Sequence, residues 1–127
     1  ANAAHLVLHL RDRGIRAGDL TADVPCITAF ANDDDFSRVF QRILSAQAVD
    51  GDGVFAISGS GNSRNIVGAL SYARFHRLPT LGLLGFGGGQ AASLCDKKII
   101  MDCSEYGPVE VAHDACIHLL AELLSGG

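Results

Sequence analysis

The sequence predicts a doubly wound α/β fold, in which helices cover both faces of a parallel sheet, and three observations carry that prediction. Short, nearly continuous apolar runs alternate along the chain with longer helix-like segments, as expected for strands buried on both faces and joined by crossover helices. Turn residues delimit the runs, with Asp50-Gly51-Asp52-Gly53 before one and Pro79 before another. Two glycine-rich segments follow directly after apolar runs, at the strand carboxyl ends where ligands of such sheets bind.

In chain order, the spacing of apolar residues predicts a first helix from Asn2 to Arg13, followed by a strand from Val24 to Phe30. Asp33-Asp34-Asp35 leads into a helix from Asp35 to Gln47. Three acids at a helix start cap it and favour its positive end, and neither the glycine nor the closing glutamate of a calcium loop follows. Val54 to Ile57 reads as a strand and Ser63 to Phe75 as a helix. Pro79 precedes a strand from Thr80 to Leu84, a position where a missing amide is tolerated. Gly85-Phe86-Gly87-Gly88-Gly89 then turns into a short helix from Gln90 to Cys95. That turn either lines a ligand mouth or serves only as a flexible loop. A strand from Lys98 to Asp102 and a helix from Val109 to Leu124 complete the pattern. Because the chain opens in a helix, its sheet is expected to lack the strand that would feed that helix.

With 127 residues and 48% of them apolar, the chain makes one core and one domain, residues 1–127. Its net charge of −4 and its scattered basic residues offer no stripe to a nucleic-acid backbone. Cys26, Cys95, Cys103 and Cys116 show no Cys-x-x-Cys spacing, and small buried thiols in a reduced, cytoplasmic setting fit them best. No apolar run is long enough to span a membrane, and the first residues lack the charged and apolar regions of a signal peptide.

Ser58-Gly59-Ser60-Gly61-Asn62-Ser63 joins a strand to a helix and reads as a phosphate cradle. Glycines allow a tight turn and close approach to an anion, and the hydroxyls of Ser58, Ser60 and Ser63 add donors to the unpaired amides of the first helical turn. Asn62-Ser63 stands where a Walker loop needs Lys and then Ser or Thr, and Arg64 stands where a dinucleotide fingerprint needs its third glycine. A nucleophile elbow is excluded because residue 58 is Ser rather than Gly. The plain alternative is a strand-to-helix turn capped by Asn62 or Ser63.

Ala56-Ile57-Ser58-Gly59-Ser60-Gly61-Asn62-Ser63-Arg64-Asn65 resembles the ISTSGNS phosphate loop of sugar isomerase (SIS) domains, in particular the phosphoheptose isomerase branch. Three further segments agree in order. Ala1 to His5 resembles the helix start SAANAQHF; Ala31-Asn32-Asp33 with Phe36 and Phe40 resembles IANDYGFEEVF; Gly85 to Gly89 sits at the family's TGKDGG. The resemblance implies a flavodoxin-like three-layer sandwich, a sugar-phosphate ligand, and a homotetramer or homodimer with sites near subunit interfaces. It also implies phosphosugar contacts at Ser58, Ser60, Gly61, Asn62 and Ser63, with Gly59 replacing the loop threonine. The family's earlier GNGGS loop would lie before Ala1.

Two helices depart from the family pattern. Where the family carries His and then Glu four residues on, this chain has His5 and His9; where it carries Gln and then a catalytic His, this chain has Glu110 and His118. These spacings put each pair on nearly one helix face. The resemblance thus implies zinc held by His5, His9, Glu110 and His118, a set of three imidazoles and one carboxylate that suits the ion. It implies an aldose-ketose isomerase working through an enediol, with His118 as acid or base, Glu110 as its partner and His9 as a proton shuttle or ligand. Asp114, four residues before His118, could instead simply pair with it. His113 lies on another face and suits packing or an interface, and His76 falls at a helix end. The competing reading is a non-catalytic phosphosugar-binding or interaction module like the replication-initiator-associating proteins, which resemble the same branch and lose the helix glutamate.

Overall fold

The computed structural model describes residues 2–125. Ala1, which opens the first of the quoted motifs, and residues 126–127 at the end of the expected domain lie outside the described residues. The elements run α1 (Asn2–Asp12), α2 (Val24–Asp33), α3 (Val39–Gln47), β1 (Val54–Ser58), α4 (Arg64–Phe75), β2 (Thr80–Leu84), α5 (Gly89–Ala92), β3 (Lys97–Ile100) and α6 (Tyr106–Ser125). Short 3-10 turns precede α2, α3 and α5.

The three strands form one parallel sheet in the order β1-β2-β3, with Ile57 beside Leu83 and Leu83 beside Ile99. Side chains alternate across it. Ala56 and Leu84 pack with Leu70 of α4 and Ala91 of α5 on one face, while Phe55, Ile57 and Leu83 meet Leu6 of α1 and Ile117 of α6 on the other. This is the expected three-layer α/β sandwich, with α3 stacked outside α4 through Leu44, Ala69, Ala73 and Leu78. Each fully buried aliphatic side chain contributes about 1.5–3 kcal/mol of transfer free energy, so the two central clusters hold the layers together.

One expected element is overturned: Val24 to Phe30 is helix, not strand. A short apolar run does not distinguish a strand from a helix by periodicity alone, and the local chemistry decides for helix. The Asp23 carboxylate accepts from the Cys26 amide at 3.3 Å and Pro25 sits in the first turn, both helix-start signals. No residue of α2 is buried, so the segment lacks the two covered faces of a central parallel strand. The sheet therefore begins with β1, after three helices.

The other punctuation holds. Asp35 caps the turn into α3 by accepting from the Ser37 amide at 3.0 Å, and Asp34 pairs with Arg38 at 3.1 Å. The Val49 amide donates to Asp52 at 3.0 Å across the Asp50 to Gly53 turn. Immediately after Pro79, Thr80 anchors β2: its amide donates to Asp96 at 2.9 Å and its hydroxyl to Leu94 O at 3.0 Å. Among the described residues no helix is long and apolar enough to cross a membrane.

Candidate functional site

The serine-glycine loop leaves the carboxyl end of β1 and enters α4. Ser58 is buried and its Oγ accepts from the Gly61 amide at 3.0 Å, while Ser60 Oγ accepts from the Asn62 amide at 3.1 Å. Both hydroxyls thus fix the loop through their lone pairs and keep their protons to donate. Ser63 is the N-cap of α4, and its side chain makes no capping bond. Its hydroxyl stands at the N-terminus of α4, where the helix dipole favours an anion; of the first-turn amides, that of Ile66 already donates to Asn65 Oδ1 at 2.8 Å.

The second glycine turn is tied to this loop by hydrogen bonds and close packing, so it is not a free loop. Gly61 O accepts from Ala91 N at 2.9 Å, and Asn62 Oδ1 accepts from Gln90 N at 2.9 Å. Gly61 has φ +69°, and a Cβ there would overlap the carbonyl of Gly88. A Cβ on Gly89 would stand 2.6 Å from Asn62 Oδ1 and from Ser60 O. Only glycine allows the two turns to approach this closely.

Gly59, which replaces the family threonine, has a partner that sequence reasoning missed. A Cβ there would stand 3.0 Å from the Tyr106 ring, which itself meets Phe86 edge-on at 4.6 Å. The absent side chain makes room for an aromatic wall at the mouth. The lone hint in the sequence is the glycine itself. An open cavity of about 470 Å³ next to the loop is lined by Ser37, Arg38, Gln41, Asn62, Arg64 and Gln90 among others.

The histidines gather elsewhere, where α1 crosses α6. The His9 and His118 rings stand edge to face at 5.2 Å, with the His5 ring 6.4 Å from that of His118. Asp114 lies between two of them, Oδ1 3.3 Å from His5 Nδ1 and Oδ2 3.7 Å from His118 Nε2. The pairing of Asp114 with His118 follows from their four-residue spacing. Its contact with His5 joins residues 109 apart in the chain and left no sequence signal. Glu110 occupies the same stripe of α6 one turn earlier; its main-chain oxygen meets Asn2 Nδ2 at 3.5 Å, and among the described residues its carboxylate pairs with none of the histidines.

Three imidazoles and a carboxylate are the donor types zinc takes, so the residues fit the ion chemically. Yet among the described residues no group of three His, Cys, Asp or Glu side chains could hold a metal ion. His113, by contrast, is packing: it is buried, and its Nε2–H donates to Leu84 O at 2.9 Å. His76 ends α4 and stacks on Tyr72 at 4.1 Å. The four cysteines are free. Burial pushes the Cys95 thiol up, as a hydrogen bond to Asp23 does for Cys26, so both favour the unreactive thiol form.

No family model matches the chain. It is 42% identical over 114 residues to the phosphoheptose isomerase of Trichlorobacter lovleyi, covering 90% of this chain and 58% of that protein. With the phosphoheptose isomerase of Geotalea daltonii it shares 39% identity over 130 aligned positions, 98% of this chain and 68% of that protein. The solved structure of phosphoheptose isomerase from Neisseria gonorrhoeae superposes with a TM-score of 0.95 at 26% identity, over 99% of this chain and 70% of that one. The chain thus spans roughly three fifths to two thirds of the length of these curated relatives.

Proposed function

The chain belongs to the phosphoheptose isomerase family, and from that premise we propose that it interconverts aldose and ketose sugar phosphates, most like sedoheptulose 7-phosphate, through an enediol. The observation that carries the proposal is the interlocked serine-glycine loop, in which the Ser58 and Ser60 hydroxyls accept from the Gly61 and Asn62 amides and Asn62 accepts from the Gln90 amide. The cradle anchors the phosphate, and binding energy from that remote group aligns the reacting carbons.

His118 takes the proton from one carbon and returns it to its neighbour, with Glu110 as second acid or base and His9 as shuttle. The resemblance assigns zinc to His5, His9, Glu110 and His118; when bound, it would polarise the sugar carbonyl and steady the developing oxyanion. His118 stands twelve residues beyond Tyr106 on α6, about 18 Å of helix axis. The proposal therefore includes a second copy, a homodimer or homotetramer, that brings imidazoles nearer a ligand held in the loop. Val111, Leu119 and Leu123, 72%, 64% and 76% exposed, form an uncovered apolar stripe beside Glu110, Asp114 and His118 that suits such a contact. A reducing, cytoplasmic setting goes with the free thiols.

The test is NMR-detected exchange of the substrate C1 and C2 protons in deuterated water. Incorporation of deuterium into sedoheptulose 7-phosphate, lost in His118→Ala, is the expected result. Tight binding with no incorporation would instead identify a phosphosugar-binding module or another substrate.

A further inference from the structure

We infer that Tyr106 determines specificity at the serine loop: its ring is a wall against which the C–H groups of a sugar pack when its phosphate lies in the loop, so that a phosphate ester binds more tightly than free phosphate. This deepens the phosphosugar reading above and rests on it. Gly59 removes a side chain from the loop, and a Cβ there would stand 3.0 and 3.1 Å from Cδ1 and Cε1 of Tyr106. One ring edge therefore lies directly against the loop main chain, in the space a side chain at residue 59 would take.

The ring is braced from behind. Phe86 meets it at 4.6 Å with the planes 83° apart, and Phe86 is itself held in the left-handed region at φ +48°, its amide donating to Cys103 O at 3.1 Å. A bulky residue keeps that backbone only where its surroundings over-determine it. Gly85 closes the packing: a Cβ there would stand 2.7 Å from Gly59 O and 2.8 Å from Val109 Cγ1, and Val109, one turn beyond Tyr106, is fully buried. The carboxyl ends of β1 and β2 and the first turn of α6 thus meet around this aromatic pair, yet Tyr106 is 61% exposed. A ring held in place and left open beside an anion loop offers contact area at little cost in conformational entropy. Its negative face repels a bare phosphate and accepts the C–H groups of an ester.

NMR titration of the full chain with sedoheptulose 7-phosphate and with inorganic phosphate, read from the backbone amides of residues 59–63, tests the assignment. Wild type is expected to bind the ester more tightly than phosphate and to show cross-relaxation between the Tyr106 ring protons and the sugar C–H protons. Tyr106→Ala should bind the ester about three- to tenfold more weakly and phosphate within about twofold of wild type, whereas Tyr106→Phe, which keeps the ring, should bind both like wild type. Tyr106→Leu, checked for folding by its circular-dichroism melting curve, carries the alanine expectation should that variant not fold. Undiminished ester binding by folded variants that lack the ring, or equal weakening toward both ligands, overturns the inference while the phosphosugar reading stands. So does a saturated complex without cross-relaxation, or a loss in Tyr106→Phe that moves the contact to the hydroxyl. Wild-type loop amides that respond to neither ligand overturn both.

Discussion

The serine loop and the histidine cluster are built in opposite ways. The loop is fixed by short bonds to main-chain amides, three accepted by the side chains of Ser58, Ser60 and Asn62 and one by Gly61 O, all between 2.9 and 3.1 Å, and two glycines leave no room for a side chain. The cluster is fixed by side chains alone, half-exposed and at 3.3 to 3.7 Å, on helices far apart in sequence. On the proposed reading, in which a second copy brings the two together, a rigid anchor and adjustable imidazoles suit a reaction in which one end of the substrate is held still while protons move at the other. The loop is thus where substitutions should cost stability, and the cluster where they should cost chemistry.

The largest expected effect is chemical. His118→Ala should lower the rate of solvent-deuterium incorporation by about 10²–10⁴-fold while leaving the melting temperature nearly unchanged, because the side chain is 57% exposed. Large loss of stability on that substitution would erase the contrast. Gly61→Ala should do the reverse, costing about 3 kcal/mol or more in urea unfolding, since it strains φ +69° and drives a Cβ into Gly88.

Asn62 sharpens the distinction within the loop. Asn62→Ala removes the acceptor of the Gln90 amide and should cost about 1–2 kcal/mol. Asn62→Asp keeps that acceptor, so stability should return while the new charge weakens phosphosugar binding in calorimetry. The smallest effect concerns Asp35, whose carboxyl is held below the usual range chiefly by the Ser37 amide, with Arg64 and Arg38 adding to it. A lowered folded pKa gives stability that is complete above the unfolded value of about 3.9 and lost as pH falls through the folded one. Asp35→Ala should therefore show a shallower fall in melting temperature below about pH 4 than wild type.

What the sequence made legible follows the same division. Thr80 to Leu84 and the helices on either side of the serine loop stand where turn residues and periodicity put them, because glycine, proline and caps act locally. Val24 to Phe30 reads as a strand from the sequence because an apolar run without period suits either state, and the deciding Asp23 cap lies outside the run. The serine cradle was readable as a motif, yet its lock onto Gly88 and Gln90 was not, for it depends on how two turns meet in space. Asp114 shows the limit most plainly: its pairing with His118 is written in helical spacing, whereas its contact with His5 arises only when α1 packs on α6.

The most direct test of one ligand served by both regions is NMR titration of the chain with sedoheptulose 7-phosphate, observing the backbone amides of residues 59–63 together with the imidazole protons of His9 and His118. Our account predicts that both sets shift with a single dissociation constant. Shifts confined to the loop, with the imidazoles silent at saturation, would contradict it.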